Sequence, residues 1–109
     1  MKEVVIVSGS RTAIGNFGGG LKAVPVVELG AIVMRDVLKR VGLRPAPNQE
    51  MAQSVPDRLK DTGLVDLEKR SYDYDDALAP VTIDEIIMGH VLQTAQGQNT
   101  ARQAMIVER

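Results

Sequence analysis

The sequence predicts an α/β protein of layered architecture, on three observations. Val4–Val7 is a continuous apolar run, Val26–Val41 carries an amphipathic helical pattern, and Ile83–Met88 is a second apolar run. A strand that is apolar at every position has no face for water, so it belongs inside a sheet covered on both sides by helices. Two such runs flanking a helix form one crossover unit, with parallel strands and a right-handed connection.

The first run is rich in β-branched residues and ends in Ser8, Gly9 and Ser10. A glycine-rich loop, Arg11 to Gly20, leads to Pro25, whose fixed φ suits a first helical position. Val26, Leu29, Gly30, Val33, Val37 and Val41 then recur near the helical period. Glu28 near the start and Arg35, Lys39 and Arg40 near the end complement the helix dipole, and Gly42 is placed as a left-handed stop. From Arg44 to Pro80 the character changes. Pro45, Pro47, Pro56 and Pro80 forbid one long helix, while Asp57–Thr62 suits a helical turn or two stopped by Gly63. The stretch reads as a surface excursion inserted into the crossover. The second apolar run ends at Gly89, and Thr100 with Gln103 forms a capping box opening a second helix over Ala101, Ala104, Met105 and Val107. That pattern is still running at Arg109 with no Gly, Asn or Pro to end it, so it reads either as a fraying terminal helix or as an interrupted one.

Composition bounds the function. The 109 residues amount to one small domain, able to bury roughly two thirds of its unfolded surface if compact. With aromatics at 3% (Phe17, Tyr72, Tyr74) against 44% apolar residues, the core must be aliphatic. A net charge of -1 provides no attraction for nucleic acid or an anionic membrane. The absence of cysteine excludes disulfides, thiolate metal sites and a cysteine nucleophile within the chain. No apolar run approaches the roughly 20 residues of a membrane span, and Met1–Ser8 lacks the layout of a secretion signal, so the expected location is the cytoplasm.

Four groups invite a chemical reading. Gly15, Gly18, Gly19 and Gly20 lie between a strand and a helix, where nucleotide-binding loops sit. Their spacing fits neither dinucleotide nor P-loop patterns, and Arg11 and Thr12 beside them read as structural ties for loop carbonyls and a helix C-terminus. The acidic run Asp73, Asp75, Asp76 reads as a solvated face rather than a metal site. His90 is the sole histidine and has no Ser, Cys or acidic partner close in sequence, which favours a hydrogen-bonding structural role over general base chemistry. Gln93, Gln96, Gln98 and Asn99 form a carboxamide-rich loop able to satisfy backbone groups or a facing subunit. The residues thus supply no catalytic, cofactor-binding or metal-binding constellation.

Three segments nevertheless carry a family likeness. EVVIVSGSRTAIGNFGGGLK at Glu3–Lys22 resembles the N-terminus of thiolases, the acetyl-CoA acetyltransferase family. VPVVELGAIVMRDVLKRVGL resembles the family's first helix, and DEIIMGHVLQTAQGQNTARQA its second strand, loop and second helix. Ala13 and Thr100 stand where the family often has Pro, and the stretch at 44–80 replaces a shorter connection. The resemblance implies that 1–43 and 81–109 begin the N-terminal half of a layered thiolase fold, with two parallel strands and two helices incomplete alone, and that 44–80 is a polar insertion. It further implies reversible Claisen condensation of acyl-CoA thioesters, in fatty acid metabolism, with coenzyme A thioesters as substrates. The nucleophilic Cys, the catalytic His and a second Cys would fall beyond Arg109. His90, followed by Val91, lacks the Gly-His-Pro context of the family's catalytic histidine. A complementary chain carrying those residues is the expected partner, with homo-oligomers of the completed unit and a subunit contact near Gln96–Gln103. The alternatives are a non-catalytic thiolase-like interaction module and a nucleotide-binding α/β protein.

Overall fold

The helical pattern at 26–41 does form a helix. In a computed structural model of the chain, which describes all residues except 1, 48–49, 51–52, 72–73, 94 and 108–109, α1 spans Val26–Lys39. Pro25 precedes it as N-cap, Arg40 closes it in a right-handed conformation, and Gly42 turns the chain away at φ 72°. That angle is strained for a residue with a Cβ, which is why glycine sits there.

The remaining elements, in chain order, are β1 (Leu43–Pro45), a 3-10 turn (Asp57–Leu59), α2 (Leu64–Ser71), β2 (Ala79–Val81) and α3 (Thr100–Val107). β1 and β2 pair in parallel with Leu43 opposite Ala79, Arg44 opposite Pro80 and Pro45 opposite Val81. The ladder is extended by Ala79 N–H to the Gly42 carbonyl at 2.8 Å and Ala46 N–H to the Val81 carbonyl at 2.9 Å. Pro45 and Pro80 offer no N–H to a partner, and a two-stranded sheet, being all edge, tolerates both.

The fold is α/β with two parallel strands, as expected, and both expected helices are present, but the strands lie elsewhere. Val4–Val7 and Ile83–Met88 enter no ladder among the described residues. Val4 is 92% exposed and Ile6 96%. A strand without a solvent face needs neighbours on both edges and cover on both faces, and these runs have neither. The excursion also holds more helix than the sequence suggested. The turn at Asp57–Leu59 falls where a helical turn ending before Gly63 was expected, and α2, a separate helix, begins just after that glycine.

The core lies where α1 crosses α3. Ala31 is 4% exposed, Ala104 1% and Thr100 8%. Small side chains let the two helices approach closely: a Cβ built on Gly30 would lie 3.3 Å from the Ala104 Cβ and 3.0 Å from the Met88 Cε. The second apolar run therefore passes over α1 and places Met88 against it. Elsewhere the chain is open. Its accessible surface is 8930 Å², where a compact protein of its size exposes roughly 5900 Å². No helix among the described residues is long and apolar enough to cross a membrane.

Candidate functional site

Two polar junctions connect α1 and α3 to the loops that precede them. At the C-terminal end of α1, the Ser10 hydroxyl donates to Oδ2 of Asp36, and Arg40 Nε donates to the same oxygen at 2.6 Å. Asp36 and Arg40 are one helical turn apart, the spacing at which helical side chains pair, whereas Ser10 comes from 26 residues away. The Ser10 hydroxyl, and after it the Arg40 guanidinium, hold the Asp36 carboxyl below the usual carboxylate value, against a smaller opposing effect of desolvation. A carboxylate so stabilised is a poor proton acceptor. Through Asp36, Ser10 ties its loop to the C-terminal end of α1.

Beside this clamp lies an open cleft of about 590 Å³ lined by Gly9, Ser10, Arg11, Thr12, Ala13 and Arg40. Arg11 donates to the carbonyl of the adjacent Thr12 at 3.1 Å, an exposed contact within the loop itself. Two guanidinium groups border the cleft, yet it opens at the negative end of α1 beside the Asp36 carboxylate. Those two charges offset the guanidinium field, so the arrangement is not an anion cradle.

The end of the glycine-rich loop and the residues after it form successive turns. Gly19 N–H bonds the Asn16 carbonyl at 2.9 Å, Lys22 N–H the Gly19 carbonyl at 3.1 Å, and Val24 N–H the Leu21 carbonyl at 3.1 Å. Gly18 adopts φ 69°.

The second junction is at the start of α3. His90 Nδ1 lies 2.9 Å from Oγ1 of Thr100, whose side chain is buried against the helix crossing. This contact joins the second apolar run to α3. Thr100 is not the N-cap. That position belongs to Asn99, whose Oδ1 accepts the Arg102 N–H at 3.1 Å and whose carbonyl accepts the Gln103 N–H at 3.1 Å. Either Asn or Thr can cap, and the Thr100 hydroxyl is taken by His90. Gln103 consequently does not complete a capping box; its amide donates to the carbonyls of Gln96 at 3.0 Å and Gln98 at 2.9 Å. The carboxamide loop is thereby folded onto α3.

Of the acidic run, Asp75 accepts the Ala77 N–H at 2.9 Å in a local turn and Asp76 is exposed, while Asp73 lies outside the described residues. Among the described residues no three His, Asp or Glu side chains converge as a metal-binding group.

Fold and junctions together define an α/β protein whose polar side chains fasten loops to helices. Within that class the comparisons are specific. Residues 4–56 match the family described as the N-terminal domain of thiolase. The acetyl-CoA acetyltransferase of Cupriavidus necator is 36% identical over 106 residues, covering 97% of this chain and 18% of that protein. The Pseudomonas aeruginosa acetyl-CoA acetyltransferase is 37% identical over 106 residues, with the same coverage. The cytosolic acetyl-CoA acetyltransferase of Mus musculus is 35% identical over 103 residues, covering 94% of this chain and 17% of that protein. The chain belongs to the thiolase family, in the region of the N-terminal domain. It spans about 18% of the length of the curated relatives it matches. No solved structure matches it.

Proposed function

We infer that this chain is an N-terminal fragment or small subunit of a thiolase, contributing scaffold to acyl transfer between acyl-CoA and acetyl-CoA. The reaction is the reversible Claisen condensation of two acetyl-CoA molecules to acetoacetyl-CoA. The observation that carries this reading is likeness over nearly the whole chain to acetyl-CoA acetyltransferases, in a sequence that contains no cysteine. A thiolase needs a thiolate to take up the acyl group and a second acid-base group to move the proton at the attacking carbon. His90 is committed to Thr100, and Ser10 to Asp36, so neither stands in for them. On this reading the catalytic Cys and His come from another polypeptide, and coenzyme A thioesters are the substrates of the completed enzyme. The segments 1–43 and 81–109 belong to the thiolase scaffold, with 44–80 as an insertion, and the setting is cytoplasmic fatty acid metabolism.

The exposed runs at Val4–Val7 and around Ile87, Val91 and Leu92 support a covering partner, because contiguous apolar surface of this kind marks an interface. Native mass spectrometry of the chain purified from its own cells, joined to a thiolysis assay with acetoacetyl-CoA and CoA, tests the reading. The expected result is a complex with a second polypeptide whose thiolysis activity is abolished by iodoacetamide. A chain that purifies as a lone monomer, with no thiolysis in its fractions, refutes it.

A further inference from the structure

The five residues before α3 hold a backbone that one of them resists. Ala95 lies at φ 55°, Gly97 at 83° and Asn99 at 49°, so every second residue from 95 to 99 is left-handed. Glycine enters that region freely and asparagine tolerates it, but the Cβ of alanine crowds the following carbonyl. Something must hold Ala95 there. Residues 95–99 are all exposed, so burial does not. The Gln103 side-chain amide, in the first turn of α3, donates to the Gln96 carbonyl at 3.0 Å and to the Gln98 carbonyl at 2.9 Å. One nitrogen with two hydrogens thus draws two carbonyls to the same point. Gly97 lies between them, and a Cβ built on it would stand 3.0 Å from the Gln103 Nε2. The far end of the loop is anchored separately, since Asn99 Oδ1 accepts the Arg102 N–H at 3.1 Å.

We propose that Gln103 is a clasp that holds residues 95–99 in this left-handed form against the preference of Ala95. The loop is then a two-state device, closed while the amide bonds both carbonyls and relaxed when it does not. Strained backbone persists only where its surroundings over-determine it, and here those surroundings are two hydrogen bonds from one side chain. Opening is local, because Asn99 keeps its cap on α3 and Thr100 its bond to His90.

NMR of the full 109-residue chain carrying Gln103→Glu tests this. The substitution keeps the side chain's shape, and a carboxylate near a helix N-terminus favours α3, but at neutral pH it has no hydrogen to donate and repels both carbonyls. The amide–Hα cross-peak within Ala95, strong only at positive φ, is expected to weaken by about twofold or more while the helical shifts of α3 stay in place. Ala95→Gly supplies a second measure by urea unfolding. With Gln103 intact it relieves the strain and is expected to raise the folding equilibrium constant by about threefold. Beside Gln103→Glu it is expected to lower that constant by about twofold, since glycine then only adds freedom to the unfolded chain. An Ala95 cross-peak unchanged in Gln103→Glu overturns the proposal. So does the same effect of Ala95→Gly in both backgrounds. Loss of α3 or of the whole fold in Gln103→Glu overturns it as well, because a local clasp leaves the helix standing.

Discussion

Gly30 sets the distance between α1 and α3, and replacing it with alanine opposes two effects of similar size. In a free helix Gly30→Ala stabilises by about 1 kcal/mol, because alanine restricts the unfolded chain and satisfies the helix better. At this crossing the new Cβ arrives 3.0 Å from the Met88 Cε and 3.3 Å from the Ala104 Cβ. The Met88 contact is cheap to relieve, since a thioether end swings aside. The Ala104 contact is not, because that Cβ is held rigidly on α3 at 1% exposure and the helices must part by a few tenths of an ångström. Overpacking of this kind costs about 1 to 3 kcal/mol, so Gly30→Ala is expected to be neutral to destabilising by up to about 2 kcal/mol. The informative quantity is the coupling with Ala104→Gly. That change alone loses about 1 kcal/mol of helix propensity, but in the double variant it removes the atom that Gly30→Ala strikes. Urea unfolding followed by circular dichroism should yield a favourable interaction energy of about 1 kcal/mol in the double-mutant cycle. Strict additivity, with Gly30→Ala stabilising by its full propensity, would refute the close crossing.

Three further outcomes follow from the junctions. Because Ser10 and Arg40 hold the Asp36 carboxyl low, its contribution to stability is present above about pH 4 and is lost as pH falls through the depressed folded value; Ser10→Ala should move the Asp36 titration, followed by NMR of its carboxyl carbon, upward toward the ordinary range. Asn99 caps α3 from a left-handed backbone at φ 49°, so Asn99→Ala should cost about 1 kcal/mol or more in urea unfolding and Asn99→Gly distinctly less. Gly42→Ala, at φ 72°, should cost about 1 kcal/mol and weaken the ladder that begins at its carbonyl, seen as faster exchange of the Ala79 amide.

What the sequence showed of this fold depended on how local the cause was. α1 was legible almost to the residue because its signals, the period of Val26, Leu29, Val33 and Val37, the Pro25 start and the Gly42 stop, lie within the element they specify. The strands were misplaced because a ladder is decided by its partner. Val4–Val7 has the better strand composition, yet Leu43–Pro45 forms the strand, since the chain leaving Gly42 meets Ala79–Val81. The same distinction runs through the polar sites. Arg40 with Asp36 is a one-turn pair whose spacing lies within α1, although the sequence reading used Arg40 only for the helix dipole, whereas Ser10 joins from another segment and has no signature in sequence.

The start of α3 shows how a local signal is overridden. Asn99 and Thr100 are both competent N-caps, and Gln103 three residues after Thr100 favours the second. The decision falls outside the helix. His90 arrives at the end of the second apolar run with a ring nitrogen that needs a partner, and Thr100 faces the crossing where that nitrogen can reach it. Once the Thr100 hydroxyl is engaged there, Asn99 supplies the oxygen for the Arg102 N–H, and Gln103 is released to bind the loop carbonyls of Gln96 and Gln98. One long-range contact thus reassigns three side chains. It also makes the chain's one histidine a bond between two structural segments, the second apolar run and α3.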